Sequence, residues 1–406
     1  MQFRFSCVFL ITFLLFWHPL VFLFFLLFFH SLNPLQFSLC RLRTHQWCFL
    51  LFNVVLFHAL LFGADFVEEY LLQPTPGVYT DSMVLDIRER ARKLDLSGSQ
   101  DNVSQSYPIS NPKACLNSDL FLLTFVFSYP GNVSQRDAVR ATWANLSHVQ
   151  GFPVRTLFFL GSSPSSANQE AVLRESGRHG DLVQGHVTMT NSLRSQTERT
   201  VLVLRWVMAF CPMARFLLLA EEVVFINLPA VGGYLLGLRR HPEDLYLGRV
   251  IHKDPPNRDP SSPSYLSPAL YPRRYLPDYC SGAAFVLSQD VVRKVYVASS
   301  IVRSPVPSDV FVGLCAQKAG VVPVHSARFS GDKHVRYNAC CYRWLFSSAG
   351  VGAEELGRVW GGVGQEDDGC SLLETYYGLV ACKALTYLDK LSSSSQRQAV
   401  NNSNGF

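Results

Sequence analysis

The stretch Leu217 to Pro229, LLLAEEVVFINLP, runs through strand-forming apolar residues, stops at two adjacent carboxylates, Glu221 and Glu222, and then resumes. Two neighbouring glutamates inside such a run are costly to bury without partners, so either the chain turns there or a cation meets them. Immediately before it, TERTVLVLRWVMAFC (197–211) reads as a long helix and ARFLLLA (214–220) as a buried strand. Working outward, LFLLTFVFS (120–128) is a second apolar strand closed by a Tyr-Pro-Gly-Asn turn. RDAVRATWANL (136–146) is a helix and VRTLFFLG (154–161) another strand. Strand and helix in alternation predict an α/β fold with a largely parallel sheet. Ligands of such sheets sit beyond the carboxyl ends of the strands, which is where Glu221 and Glu222 fall.

The second half is more irregular. Residues 254–282 are rich in Pro, Ser and Tyr and read either as a substrate-binding excursion or as a surface insertion. AAFVLSQDVVRKVYVAS (283–299) returns to strand and helix, and SDVFVGLCAQKAG (308–320) is a helix that starts at a Ser/Asp pair and is closed by Gly320. No internal repeat is visible.

The chain has 406 residues, 48% of them hydrophobic, enough for one large domain or two ordinary ones. Its formal charge of +5 has no long Lys/Arg run behind it, which argues against a nucleic-acid binder. Residues Phe5 to Phe29 form one apolar run and Trp47 to Gly63 a second, preceded by Arg41 and Arg43 and followed by Asp65, Glu68 and Glu69. That asymmetry predicts a cytoplasmic N-terminal flank and a lumenal remainder, a single-span type II topology. The resulting divisions are an apolar extension at 1–40, cleaved, non-spanning or extraneous, and a flank with a signal-anchor helix at 41–64. A stem follows at 65–117, then a lumenal domain at 118–390 and a polar tail at 391–406. Sequons at Asn102, Asn132, Asn145 and Asn401 are glycosylation acceptors in a lumenal setting. Eight of eleven cysteines lie beyond the apolar runs, an even set that fits oxidising surroundings.

RDAVRATWAN, TLFFLG, CPMARFLLLAEEVVFINLP, LYLGRV, YPRRYLPDYCSGAAFVLS, SDVFVG and CCY occur in the order and rough spacing of the beta-1,3-galactosyltransferase family, glycosyltransferase family 31. The chain resembles that family from about Phe121 to Leu388. The segment from Cys40 to Tyr70 resembles the start of a family member that begins close to Cys40. The resemblance implies a GT-A fold, a Golgi address, and transfer of galactose or N-acetylglucosamine from a UDP-sugar to a hydroxyl of a glycoprotein or glycolipid glycan, with inversion. It also implies manganese held by an Asp-x-Asp motif, where this chain reads Glu221-Glu222-Val223 and Val223 offers no donor atom. His334 is the further ligand on this reading.

Asp309 matches the family's catalytic base, with Ser308 where a glutamate is usual; helix capping is the alternative role for Asp309. Arg136, Arg140 and Arg199 are expected to meet the donor together with Glu221 and Glu222, and Lys333 is a further cation within this set. Arg199 stands for a lysine, and Ala283 for a glycine in the CSGAAFVLS loop. Trp143 and Trp206 are expected in the core rather than as sugar platforms. The competing function is a lumenal glycan-binding or scaffolding relative with a degenerate metal motif.

Overall fold

The computed structural model describes residues 44–71, 79–115, 119–163, 165–188, 192–238, 242–262, 264–302, 306–364 and 369–386. The expected extension at 1–40, the tail at 391–406 and Asn401 lie outside them. A helix from Trp47 to Leu71 is long and apolar enough to cross a membrane, as the anchor reading requires.

The first strand of the central sheet is β1 (Leu122–Phe127), followed by helix α2 (Val133–Ala141), β2 (Phe152–Ser162), α3 (Ser166–His179), β3 (Leu182–Thr188) and α4 (Leu193–Phe210). Helix α1 (Ser82–Lys93) precedes them. Then come β4 (Phe216–Glu221), β5 (Val224–Ile226), β6 (Tyr246–Gly248), β7 (Ala284–Ser288), α5 (Gln289–Ser299), α6 (Ser308–Lys318), β8 (Val324–His325) and β9 (Ser347–Ala349). The central sheet runs β8-β6-β7-β4-β1-β2, with β3 pairing β2 and the short strand His148–Val149 at the start of β2. Pairs β1–β2, β1–β4, β2–β3 and β6–β8 are parallel, whereas β7 is antiparallel to both neighbours. This is the α/β architecture expected from the sequence.

Alternation along β1 divides the core. Leu123, Phe125 and Phe127 pack against α4, α5 and α6, while Leu122 and Val126 face α2 and the elements around β5. Trp206 belongs to the first layer and Trp143 to the second, both fully buried, so they are core aromatics as expected.

The stem expectation needs correction over 82–115. Ile87 and Ala91, four residues apart on α1, are buried, Ile87 within the first core layer, and Arg88 pairs with Asp244 at 2.7 Å. Tyr107 donates its hydroxyl to the Leu202 carbonyl at 2.8 Å. This segment covers the sheet's α4–α5 face and belongs to the domain. Disulfides join Cys115 to Cys211, Cys340 to Cys370 and Cys341 to Cys382, leaving Cys280 and Cys315 as buried thiols. Six of the eight cysteines therefore pair, and burial pushes the proton affinity of the other two up.

Candidate active site

Strand order reverses beside β1, between β2 and β4, and the carboxyl end of β4 marks that switch point. Glu221, the last residue of β4, lies opposite Phe127 and donates its backbone N–H to the Ala283 carbonyl at 3.1 Å. The antiparallel register of β7 against β4 thus carries the Ser281–Ala283 loop to the strand end. A cavity of about 370 Å³ opens there, with Glu221, Val223, Gly282, Ala283, Asp309 and Asp332 in its walls. A cavity of about 400 Å³ beside Cys115 and Cys211 has Asp119 as its one charged wall residue. Convergence of carboxylates selects the first as the site.

Asp309 sits in the first turn of α6, whose preceding residue Pro307 makes no side-chain cap. Its Oδ1 accepts the Val310 N–H at 2.8 Å. Burial raises the carboxyl's pKa to about 6; backbone N–H groups oppose that rise, and Asp332 and Glu221 add to it. A Cβ placed on Gly282 would lie 3.0 Å from Asp309 Oδ2, so this glycine admits the close approach of the carboxylate. Asp332 is positioned by the Ser281 hydroxyl, which donates to its Oδ1 at 2.5 Å. A desolvated carboxyl with a pKa raised to about 6 in the wall of a pocket has the properties of a general base.

The strand-end carboxylates are disposed differently. Arg199 on α4 donates from Nη2 to Glu221 Oε1 at 2.6 Å and stacks over the Phe127 ring at 4.5 Å from its centroid. Burial pushes Glu221's proton affinity up, against the pull of Arg199. Glu222 is only 6% exposed. Its carboxylate turns away from the pocket and accepts from the Ser128 hydroxyl at 2.5 Å and from the Asn132 amide, while Gln135 holds its carbonyl at 2.9 Å. Val223 is 40% exposed, with its carbonyl accepting the Gly350 N–H at 2.9 Å.

Arg136 and Arg140, expected at the donor, require correction. Arg136 is 0% exposed and gives a bidentate pair to Glu175, with further bonds to the Ser128 hydroxyl and the Tyr129 and Pro130 carbonyls. Arg140 is committed to Glu175, Asp181 and Asp137. Burial opposes Glu175's charge, but the two guanidinium groups outweigh it and hold its pKa below the ordinary value. These arginines tie α2 to α3, and the described walls of the pocket include neither.

The expected metal set is also not brought together. Glu221 is engaged by Arg199, Glu222 faces Ser128 and Asn132, and His334 Nε2 lies 3.4 Å from Glu355 Oε2. Among the described residues no group of three His, Cys, Asp or Glu side chains is arranged to hold a metal ion. Hard divalent ions need several converging oxygens, so these residues do not fit manganese.

Asn102 and Asn145 are exposed, whereas the Asn132 amide, though on an exposed residue, is engaged by Glu222. Asp332, Ser281 and Gly282 are site residues that sequence reading missed. The Ser281-Gly282 and Gly331-Asp332 dipeptides were the available signal, since Gly331 takes a φ of +65° beside Ser281.

Residues 134–327 match the family model described as Galactosyltransferase. The chain is 47% identical over 355 residues to human beta-1,3-galactosyltransferase 9, covering 87% of this chain and 95% of that protein. It is 33% identical over 290 residues to Xenopus laevis lactosylceramide 1,3-N-acetyl-beta-D-glucosaminyltransferase B, covering 70% and 76%. With the human lactosylceramide 1,3-N-acetyl-beta-D-glucosaminyltransferase it shares 36% identity over 263 residues, covering 63% and 68%.

Proposed function

The chain belongs to the beta-1,3-galactosyltransferase family and is a UDP-sugar-dependent hexosyltransferase, and we propose that it acts in the Golgi lumen on glycan hydroxyls with Asp309 as base. The donor is UDP-galactose or UDP-N-acetylglucosamine, the two sugars carried in the names of its relatives. The acceptor is a glycoprotein or glycolipid glycan. The helix Trp47–Leu71 serves as the type II anchor, and Asn102 and Asn145 are the sequons open to glycosylation.

In the proposed step the acceptor hydroxyl attacks the anomeric carbon as Asp309 takes its proton. The new C–O bond forms on the face opposite the departing diphosphate, so configuration inverts and UDP leaves with the electron pair. Asp309 is suited to this because burial keeps its proton affinity high enough to accept a hydroxyl proton while leaving it ionised at neutral pH. No step runs through manganese, because the residues assigned to it do not fit.

The observation that carries the reading is the Asp309 carboxylate, closely packed against Gly282 at the wall of the strand-end pocket. The test incubates the purified full chain with both UDP-sugars over glycoprotein and glycolipid acceptors, beside Asp309→Asn. Transfer with inversion by the parent and its loss in the variant is expected. Undiminished transfer by the variant would remove Asp309 from its role.

A further inference from the structure

Arg199 offers more than it spends. The residue is 6% exposed, its guanidinium lies over the Phe127 ring, and its Nη2 donates to Glu221. Its Nε–H is buried with no hydrogen-bond partner among the described residues. A guanidinium with unused donors immediately behind a pocket wall is a phosphate ligand in waiting, since its planar fork matches two phosphate oxygens. Glu221 is the residue that joins it to the cavity, with 39% of its side chain open.

Resting on the hexosyltransferase reading, we propose that this chain holds the donor diphosphate without a divalent ion, through Arg199, which exchanges Glu221 for a phosphate oxygen. Each position at which the family places a metal contact is otherwise disposed here: Glu221 on Arg199, Glu222 on Ser128 and Asn132, Val223 without a donor atom, and His334 beside Glu355. Charge also has to be balanced, because Glu221, Asp309 and Asp332 all face the cavity. Arg199 is the cation beside them, and a phosphate oxygen takes the position on its guanidinium that Glu221 now holds. Glu221 on this account is a stand-in anion that keeps Arg199 satisfied until the diphosphate arrives.

The account makes Glu221 a competitor of the donor, whereas a metal-based site makes it a ligand. Substitution at this position therefore has opposite signs under the two schemes. UDP binding to the full chain in detergent is measured by calorimetry in EDTA and in manganese, for the parent, Arg199→Met, Arg199→Lys and Glu221→Gln. Expected are an affinity in EDTA within about threefold of that in manganese, and a loss of about tenfold or more in Arg199→Met, partly restored by Arg199→Lys. Glu221→Gln is expected to bind UDP as tightly as the parent or more tightly in EDTA.

Binding that appears only with manganese, or that Glu221→Gln weakens, overturns the inference while leaving the transferase reading intact. Failure to bind UDP in either medium, with no transfer, overturns both. Glu221→Gln keeps the test decisive if removing the buried arginine impairs folding.

Discussion

Two carboxylate-bearing edges meet at one pocket and are used in opposite ways. At the strand edge, Glu221 and Glu222 end in internal partners: Arg199 for the first, Ser128 and Asn132 for the second. At the helix edge, Asp309 has the Val310 N–H on one oxygen and the close approach of Gly282 on the other, with burial holding its pKa near 6. Both edges carry acidic residues in family motif positions, yet the strand-edge carboxylates are held by side chains, Arg199 for Glu221 and Ser128 and Asn132 for Glu222, whereas the Asp309 carboxyl is held by a backbone N–H. A motif specifies residue types; the neighbours of their atoms decide whether they hold structure together or do chemistry.

The contrast can be broken by substitutions on either edge. The largest expected effect is that of Asp309→Asn, with transfer falling about 10²–10⁴-fold in steady-state assays. The same change should raise stability at neutral pH in thermal melts. Asp309's folded pKa lies above its ordinary 3.8, so its ionised form weakens the fold as pH rises through 3.8 to about 6, and asparagine removes that cost. A melt showing clear destabilisation would mean that the carboxylate is mainly a structural group.

Gly282→Ala comes next, because its added methyl reaches Asp309 Oδ2 at 3.0 Å. Displacing the base should lower kcat by roughly 10- to 100-fold with a smaller change in KM. On the strand edge, Glu222→Gln turns an amide N–H toward donors that now meet a carboxylate. It should cost about 1–3 kcal/mol in denaturant unfolding while transfer by the folded fraction persists. Activity lost in step with Asp309→Asn would contradict the division between the edges. Val223→Ala should matter least, within about 0.5 kcal/mol in the same unfolding measurement, since the side chain stands half-open on the pocket rim.

The fold was legible because its apolar runs are long and its turns are well marked. Residues 120–128, 154–161 and 214–220 stand out as buried strands, and the helix after Ser308 ends at Gly320, whose φ of +69° suits glycine. The place of Asp309 in the pocket wall was legible because the SDVFVG motif survives around it. What could not be read was partnership. Arg136 and Arg140 look available on one face of a helix, but Glu175, 39 and 35 positions further on, takes both. The packed segment 82–115 reads as polar linker because its buried residues, Ile87, Ala91, Val103, Tyr107, Ile109 and Ala114, are scattered among polar ones. Asp332 and Gly282 reach the site through the register of β7 on β4 and a left-handed turn at Gly331, neither of which local sequence encodes strongly.

The central claim is that the pocket's working carboxyl is Asp309, with a proton affinity raised by burial. The most direct test is the pH dependence of kcat/KM for hexose transfer by the full chain. The account predicts an acid limb with a midpoint at about 6, below which the rate falls tenfold per pH unit as Asp309 becomes protonated. A limb at the ordinary carboxylate value of 3.8, or one that persists unchanged in Asp309→Asn, would contradict it.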